Sequence, residues 1–449
     1  MPRYRAARLI LPEHPLHGQS VDILHQEGHP IEIQPSSSVP LDEKDGDRDL
    51  GQAFAFAGWW DLKVDFRDPG TERAEGLNHG LKVAAQGGFS SVAPVTSTHP
   101  FRDQPADIRA LQHQSQYSIT SVLPLAALSK NGGGIELTEA HALVQAGAMG
   151  FSDNAPIQRP ELLRRALEYL APLGAPVFSE AHDPSFQPEG IMHEGAVSTR
   201  LGLPGLSEEA ETLRIRRDLD ILKYTQGQLH IPVVTSAAGI SAIRSAKSEG
   251  LQVTCGTTFH HLCWTDENLD NFNSDLKLSR PIRSETDRDA LLKAALDGTL
   301  DVVVSDHCPR TPEEHDADFL MVANGIAGIH ATGPAVFGAL SGNGASTEDS
   351  LAAMSRLLAS GPRHILRNKA AGADVAAQTS TGVTFFSAEA QIAPSLSKAP
   401  NTVYNAQTPF LKGGVVGVVT PKGAHWNGRA LSLACRPPKI HGKRRLWLT

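Results

Sequence analysis

The chain has few of the features that mark secreted or membrane proteins. Its 449 residues include four cysteines without a CxxC pair, which argues against a disulfide framework and against a thiolate zinc site. No stretch reaches the roughly 18 apolar residues of a membrane span, and the first residues lack the sustained apolar run of a targeting segment. We therefore expect a protein of a reducing, cytoplasmic setting without a membrane partner.

Clusters of basic residues are also missing. The formal net charge is -8, and Lys and Arg are spread along the chain, so the sequence carries no electrostatic footprint for nucleic acid or for an anionic membrane. This balance favours solubility, and we expect no nucleic-acid partner.

Length and periodicity indicate a large α/β barrel. A chain of 449 residues suits one barrel of about 250 or more residues with a smaller accessory domain. Between residues 58 and 372, short apolar runs alternate with helical patterns, which is typical of repeated βα units. Strands are predicted at residues 59–65, 90–95, 117–123, 149–152, 176–179, 229–235, 252–256 and 300–305. Helices are predicted between them, including 72–86, 138–146, 161–170, 207–224 and 285–296. Eight such units predict a closed (β/α)8 barrel.

The two ends of the chain have a different pattern. Residues 1–57 and 373–449 contain short β-like pieces broken by Gly, Pro and charged residues. We expect both ends to form one small composite β-domain, with the barrel at residues 58–372 between them.

The first predicted strand resembles the metal-binding strand of a metallohydrolase, but with its histidines replaced. It reads Asp61-Leu-Lys-Val-Asp-Phe-Arg-Asp-Pro-Gly70. Two ligands at alternate positions of a strand point to the same face, towards one ion. Here those positions are Lys63 and Asp65. An ammonium group has no lone pair for a cation until it loses its proton, and its ordinary pKa of about 10.4 opposes that loss at neutral pH.

The ends of the other strands carry an ordered series of polar motifs, and in a barrel of this type the C-terminal strand ends hold the chemistry. They are Val95-Thr-Ser-Thr-His-Pro100, Gly150-Phe-Ser-Asp-Asn154, Leu229-His-Ile-Pro-Val-Val-Thr-Ser236, Lys277-Leu-Ser-Arg-Pro-Ile-Arg283 and Ser305-Asp-His-Cys-Pro-Arg310. The series closely resembles the dihydroorotases of the cyclic amidohydrolase superfamily over nearly the whole chain. The resemblance implies an amidohydrolase-type (β/α)8 TIM barrel. It also implies a zinc or related metal centre that activates water in the interconversion of carbamoyl aspartate and dihydroorotate.

Most of the metal-ligand positions that the resemblance implies are altered. The two strand-one histidines correspond to Lys63 and Asp65, and the strand-six histidine corresponds to Val233, which has no donor atom. The strand-four carboxylate falls at Asp153 or Asn154. The strand-five histidine falls near Glu180, with His182 two residues further on. The strand-eight aspartate is retained as Asp306, the implied catalytic general acid and base.

The substrate-binding positions implied by the resemblance are altered as well. The arginine that binds the substrate carboxylate is retained as Arg67. An asparagine of the substrate motif is replaced by Ser97, a second asparagine by Ser279, and a histidine by Arg310. These replacements are expected to weaken recognition of the ring.

Three arrangements of the altered metal site remain open from the sequence. Asp65, Glu180 and Asp306 would make an all-oxygen site suited to magnesium or manganese. Alternatively the site holds no metal, and the Lys63 ammonium takes the place of the cation and pairs with one of these carboxylates, since converging carboxylates need a neutralising charge. In the third arrangement Lys63 points to solvent at the barrel rim.

Several histidines follow strand ends without a spacing typical of metal ligands. They are His182, His260, His261 and His307. We expect these to be hydrogen-bonded structural histidines, although a rearranged metal set remains an alternative.

Three functions follow from the resemblance. The leading prediction is a dihydroorotase homologue of pyrimidine synthesis whose catalysis is impaired or lost, without a cofactor. It would act as a structural or regulatory partner, for example of aspartate transcarbamoylase, and form a homo-oligomer. The alternatives are an active dihydroorotase or related cyclic amidohydrolase with an atypical site for zinc or another divalent metal, and a non-catalytic scaffold resembling the dihydropyrimidinase-like proteins.

Overall fold

Eight parallel strands form a closed ring in the computed structural model, which describes residues 1–6, 8–270, 272–366 and 382–428. The barrel strands are Trp59–Val64, Phe89–Pro94, Ser121–Val122 with Leu125–Ala126, Gly150–Phe151, Val177–Phe178, Leu229–Ile231, Val253–Thr258 and Val302–Val304. The ring closes between the first and eighth strands, where Val64 bridges His307 and the Asp65 N–H donates to the His307 carbonyl at 2.7 Å. The predicted (β/α)8 barrel is therefore confirmed.

Prolines shorten the regular part of two strands. The third barrel strand is divided at Pro124: Ser121–Val122 pairs with the second strand, and Leu125–Ala126 pairs with the fourth. The sixth strand ends at Ile231 because Pro232 has no N–H to donate, and pairing resumes where the Val234 N–H bonds to the Gly256 carbonyl at 2.8 Å.

Helices follow the strands and pack around the ring. They are Leu77–Gln86, Pro105–Gln114, Ala140–Gln145, Pro160–Leu170, Ala196–Leu201, Glu209–Thr225, Ala237–Ser248, Phe259–Cys263, Glu285–Asp297, Pro312–His315, Thr332–Gly342, Thr347–Ser355 and Gly361–Ile365. The first begins at Leu77, five residues later than predicted. Gly76 adopts φ 79°, which ends the preceding turn and cannot belong to a right-handed helix. Among the described residues, no helix has both the length and the apolar character required to cross a membrane.

Both ends of the chain contribute strands to one five-stranded sheet. Its order is Arg8–Ile10, Phe54–Ala57, Val383–Ser387, Gly414–Thr420 and Gly423–Trp426. A second sheet contains Glu32–Pro35, Val21–Leu24, Arg3–Ala6 and Arg48–Asp49. The predicted β-rich terminal parts are thus present. The domain boundary predicted between residues 372 and 373, and the last part of the C-terminal segment, lie outside the described residues.

A compact apolar cluster fills the barrel interior. Its members come from strands around the ring and include Trp60, Leu62, Phe178, Val233 and Val302. Because side chains in the interior of an eight-stranded barrel pack in layers, the polar groups are left at the C-terminal mouth.

Candidate functional site

A buried lysine lies at the centre of the barrel mouth. Lys63 is only 8% exposed, and its Nζ is 2.5 Å from Glu180 Oε1 and 3.8 Å from Asp306 Oδ1. The arrangement in which Lys63 points to solvent is therefore not what the structure shows. Of the three carboxylates considered as its partners, the structure brings Glu180 and Asp306 to it.

The charges of Lys63, Glu180 and Asp306 shift one another's pKa values. Burial lowers the pKa of Lys63, but the negative charges of Glu180 and Asp306 outweigh it and the net shift is upward. Burial raises the pKa of Glu180, but the Lys63 and Arg280 charges outweigh it and hold that pKa below its ordinary value. Burial raises the pKa of Asp306. Lys63 and Glu180 therefore form a buried ion pair.

Sequence reasoning missed a second cation at this site. Arg280 Nη2 is 3.4 Å from Glu180 Oε2, so Glu180 lies between two positive groups. The signal available in the sequence was a positive charge directly after Ser279, a position assigned to substrate recognition. Ser279 itself is exposed.

The Asp65 carboxylate contacts Arg67. The Arg67 backbone N–H donates to Asp65 Oδ1 at 2.8 Å, and Arg67 Nη1 lies 3.6 Å from Asp65 Oδ2. The thiol of Cys308 lies 3.7 Å from the same carboxylate. Asp65 thus pairs with Arg67, although its charge is close enough to Asp306 to raise the pKa of that carboxyl.

Arg67 is also engaged by a carboxylate of the chain itself. Its Nη2 donates to Glu314 Oε1 at 3.0 Å, and Arg310 Nη1 donates to the same oxygen at 3.2 Å. Glu314 lies on the short helix Pro312–His315 in the loop that follows the eighth strand. The structure therefore brings Arg67 and Arg310 together around Glu314, which sequence reasoning also missed.

The strand-four candidates face other groups. Asp153 accepts from the Ser129 N–H at 2.9 Å and from the Ser129 hydroxyl at 2.6 Å, and burial raises its pKa. Asn154 Nδ2 donates to Ser97 Oγ at 2.9 Å. Ser97 and Asn154 are therefore hydrogen-bonded to each other at the mouth.

The position on strand six that the resemblance assigns to a ligand histidine supplies no donor. Val233 is fully buried in the apolar cluster of the barrel interior. His230 lies on the same strand, and its Nδ1 bonds to Thr254 Oγ1 at 2.9 Å. Burial lowers the pKa of His230 to about 3, so it is neutral at physiological pH.

Three of the four histidines after the strand ends make hydrogen bonds with groups of the protein itself. His260 Nε2 donates to the Ser305 carbonyl at 3.1 Å, and His261 Nε2 lies 3.1 Å from the Arg280 carbonyl. His307 Nε2 is 2.6 Å from Glu75 Oε2. His182 is half-buried, and burial, with the nearby Arg280 charge, lowers its pKa to about 4. These contacts fix the loops around the mouth.

Three residues of the mouth have strained backbones. Arg67, Asn154 and Asp306 have φ values of 62°, 52° and 47°, in the left-handed region that disfavours residues with a Cβ. Each such conformation costs on the order of 1 kcal/mol and is held by its surroundings.

The donor set does not fit the metal centre that the sequence resemblance implies. Among the described residues, no group of three or more His, Cys, Asp or Glu side chains is arranged to hold a metal ion. A zinc site needs at least three good protein ligands. Lys63 approaches the two carboxylates that converge, and Asp65 is turned to Arg67.

Comparison with known proteins shows what this chain is similar to. A family model described as dihydro-orotase-like matches residues 54–238. The dihydroorotase of Syntrophus aciditrophicus strain SB is 37% identical over 328 residues, which cover 72% of this chain and 76% of the relative. The dihydroorotase of Geobacter sp. strain M21 is 34% identical over 317 residues, 70% of this chain and 74% of the relative.

Solved structures with the same fold are more distant in sequence. L-hydantoinase (dihydropyrimidinase) from Arthrobacter aurescens has a TM-score of 0.71 at 17% identity and covers 93% of each chain. Dihydropyrimidinase from Brevibacillus agri NCHU1002 has a TM-score of 0.71 at 18% identity and covers 96% of each chain. At this identity the likeness shows the fold alone, and it confirms the amidohydrolase-type barrel.

Proposed function

Since this chain belongs to the dihydroorotase family, we propose that it is a member that has lost metal-dependent hydrolysis and serves pyrimidine synthesis as a structural or regulatory partner. The observation that carries the proposal is the Lys63 ammonium, 2.5 Å from Glu180 and 3.8 Å from Asp306. A positive charge at this place neutralises the converging carboxylates without offering a ligand, so it opposes the entry of a divalent cation.

The groups for substrate binding and proton transfer are also engaged. A general base must be free to accept a proton from the attacking water, but Asp306 faces the Lys63 charge. Arg67 would bind a substrate carboxylate, but Glu314 already provides a carboxylate to it at 3.0 Å. Both contacts support a site whose charges are satisfied within the chain.

A fold that has lost its chemistry retains its surfaces, and we propose aspartate transcarbamoylase as the partner and a homo-oligomer as the assembled form. The test is co-elution of the purified chain with the transcarbamoylase of the same organism in size-exclusion chromatography. A joint peak at micromolar concentration is expected. Separate elution at that concentration would contradict this partner, and an oligomer that forms without it would favour a scaffold of the dihydropyrimidinase-like kind.

Loss of catalysis is tested by elemental analysis of protein purified without chelator, together with dihydroorotate hydrolysis in the presence of zinc or manganese. We expect far less than one metal ion per chain and no turnover above that of the Asp306→Ala variant. Near-stoichiometric metal with turnover that Asp306→Ala abolishes would instead establish an active enzyme with a rewritten ligand set.

A further inference from the structure

Exposed apolar side chains cluster on two neighbouring loops at the barrel mouth. Phe272, Leu320 and Met321 are 49%, 60% and 79% exposed, and we call these three residues the mouth patch. Phe272 lies in the connection after the seventh strand, and Leu320 and Met321 lie after the eighth. The loops touch: the rings of Phe272 and Phe319 are 6.5 Å apart, and His315 Nε2 is 3.3 Å from Asp275 Oδ1.

A buried lysine holds the second loop in place. Lys277 is 5% exposed, and its Nζ donates to the carbonyls of Phe319, Leu320 and Val322 at 2.7, 3.1 and 2.9 Å. Three neutral carbonyl acceptors satisfy this ammonium group, and its burial is costly because no ion pair with a carboxylate is seen among the described residues. The loop conformation that buries Lys277 leaves the Leu320 and Met321 side chains exposed to water. Their exposure does not stabilise the monomer.

The loops around the patch are acidic. Residues 265–276 and 311–322 together contain Asp266, Glu267, Asp270, Asp275, Glu313, Glu314, Asp316 and Asp318, and neither stretch contains Lys or Arg. Asp316 and Asp318 are exposed, and neither has an ion-pair partner among the residues that the structure describes. Glu267 and Asp270 pair with Arg200, and Glu314 pairs with Arg67 and Arg310. The negative charge beside the patch that no ion pair of the described residues offsets therefore includes the exposed Asp316 and Asp318.

We infer that the mouth patch is a docking surface for a partner protein that presents apolar side chains among Lys and Arg residues. Aromatic side chains and Met are enriched at protein interfaces, and binding energy concentrates in a few such anchors. Charge complementarity selects a basic partner. A second copy of this chain is disfavoured at the same patch, because it would bring the Asp316 and Asp318 carboxylates of one copy near those of the other.

This inference rests on the proposed non-catalytic role, because loops that receive a substrate cannot at the same time be covered by a protein. It specifies where the partner binds. The position of the docking surface and the identity of the partner as a transcarbamoylase are therefore tested separately.

The test places a photo-crosslinking amino acid at position 321 of the full chain, expressed in its own host, and identifies crosslinked peptides by mass spectrometry. Tyr224, 74% exposed at the end of the outer helix Glu209–Thr225, is the control position. A crosslink specific to position 321, to a peptide of another protein with Lys or Arg beside apolar residues, is expected. We expect the Asp316→Lys, Asp318→Lys double variant to weaken it about tenfold, since the steering charge is reversed.

Each outcome decides one claim. A specific crosslink to the transcarbamoylase supports both the surface and the proposed partner. A specific crosslink to a different basic protein supports the surface and overturns the transcarbamoylase. Crosslinks only to this chain, none above the Tyr224 control, or a crosslink unchanged by the double lysine variant would overturn the surface. Unchanged thermal unfolding of the variants verifies that they are folded.

Discussion

Lys63 donates to Glu180 Oε1 at 2.5 Å, across 117 residues of sequence, and so ties the first barrel strand to the end of the fifth. Arg280 approaches the other oxygen of the same carboxylate at 3.4 Å. Glu180 is thus held between two cations inside the mouth. An ion pair with this burial is sensitive to the removal of either partner, because the remaining charge stays in a poorly solvated site.

Replacement of Lys63 by Met is expected to lower the free energy of unfolding by about 3 kcal/mol, because it leaves Glu180 and Asp306 without their common cation. Urea unfolding followed by circular dichroism measures this loss. Lys82→Met, on the exposed face of the helix Leu77–Gln86, is the matched control and should leave stability nearly unchanged.

The double variant Lys63→Met, Glu180→Gln tests the pairing itself. It removes both charges, so it should be more stable than Lys63→Met alone, with a coupling energy of about 1 to 3 kcal/mol. Additive losses in the double variant would show that Lys63 and Glu180 do not depend on each other.

Restoring the implied ligand set should restore metal binding. The variant Lys63→His, Asp65→His, Glu180→His, Val233→His keeps Asp306 and supplies four imidazoles. We expect it to bind about one zinc ion per chain, where the unaltered protein binds little. Arg280 loses its carboxylate partner Glu180 in this variant, and its positive charge would then repel the zinc ion. A second version therefore also carries Arg280→Ala.

Elemental analysis after dialysis against zinc measures the bound metal. The same variants with Asp306→Ala are the control and should bind more weakly, because the retained strand-eight carboxylate is missing. If neither restored version binds more zinc than the unaltered chain, the positions assigned to the lost ligands are wrong.

The sequence predicted the barrel well because the spacing of apolar residues within each segment indicates whether it forms a strand or a helix. Residues 229–235 illustrate the limit: the sequence predicts one strand over this stretch, but the regular pairing stops before Pro232 and resumes at Val234. The sequence alone showed that Lys63 and Val233 stand at ligand positions, and neither an ammonium group nor a valine side chain has a lone pair to offer a metal ion. The contacts of Arg280 with Glu180 and of Arg67 with Glu314 were not visible there, because each joins residues more than 90 positions apart through loops without a periodic pattern.

Glu314 competes with any anion for Arg67. Its Oε1 accepts from Arg67 at 3.0 Å and from Arg310 at 3.2 Å, which is how a substrate carboxylate would be bound. Glu314→Gln is expected to raise the affinity for carbamoyl aspartate by about tenfold, an effect that salt should reduce because part of the contact is exposed. Isothermal titration calorimetry measures it, with the neighbouring exposed Glu313→Gln as the control. Equal affinities for both variants would contradict the competition.

Asp61 gives the stability a defined pH dependence. It is fully buried, accepts from the backbone N–H groups of Lys63 and Ser305, and burial raises its pKa from 3.8 to about 7. Between these two values the folded protein holds the Asp61 proton and the unfolded chain releases it. The contribution of Asp61 to the free energy of unfolding is therefore fully present below about pH 4 and declines as the pH rises towards 7.

Buried histidines act in the opposite direction, so the effect of Asp61 must be isolated by a variant. Burial lowers the pKa of His230 and His260 to about 3, which makes the unfolded state bind more protons in acid and lowers stability as the pH falls below about 6.5. Asp61→Asn removes only the carboxyl titration. Relative to the unaltered protein, it should gain about 2 kcal/mol of unfolding free energy between pH 5 and pH 8. Urea unfolding at each pH measures this difference. The exposed Asp220→Asn on the outer helix is the control, and a difference for Asp61→Asn that is constant across this range would contradict the assignment.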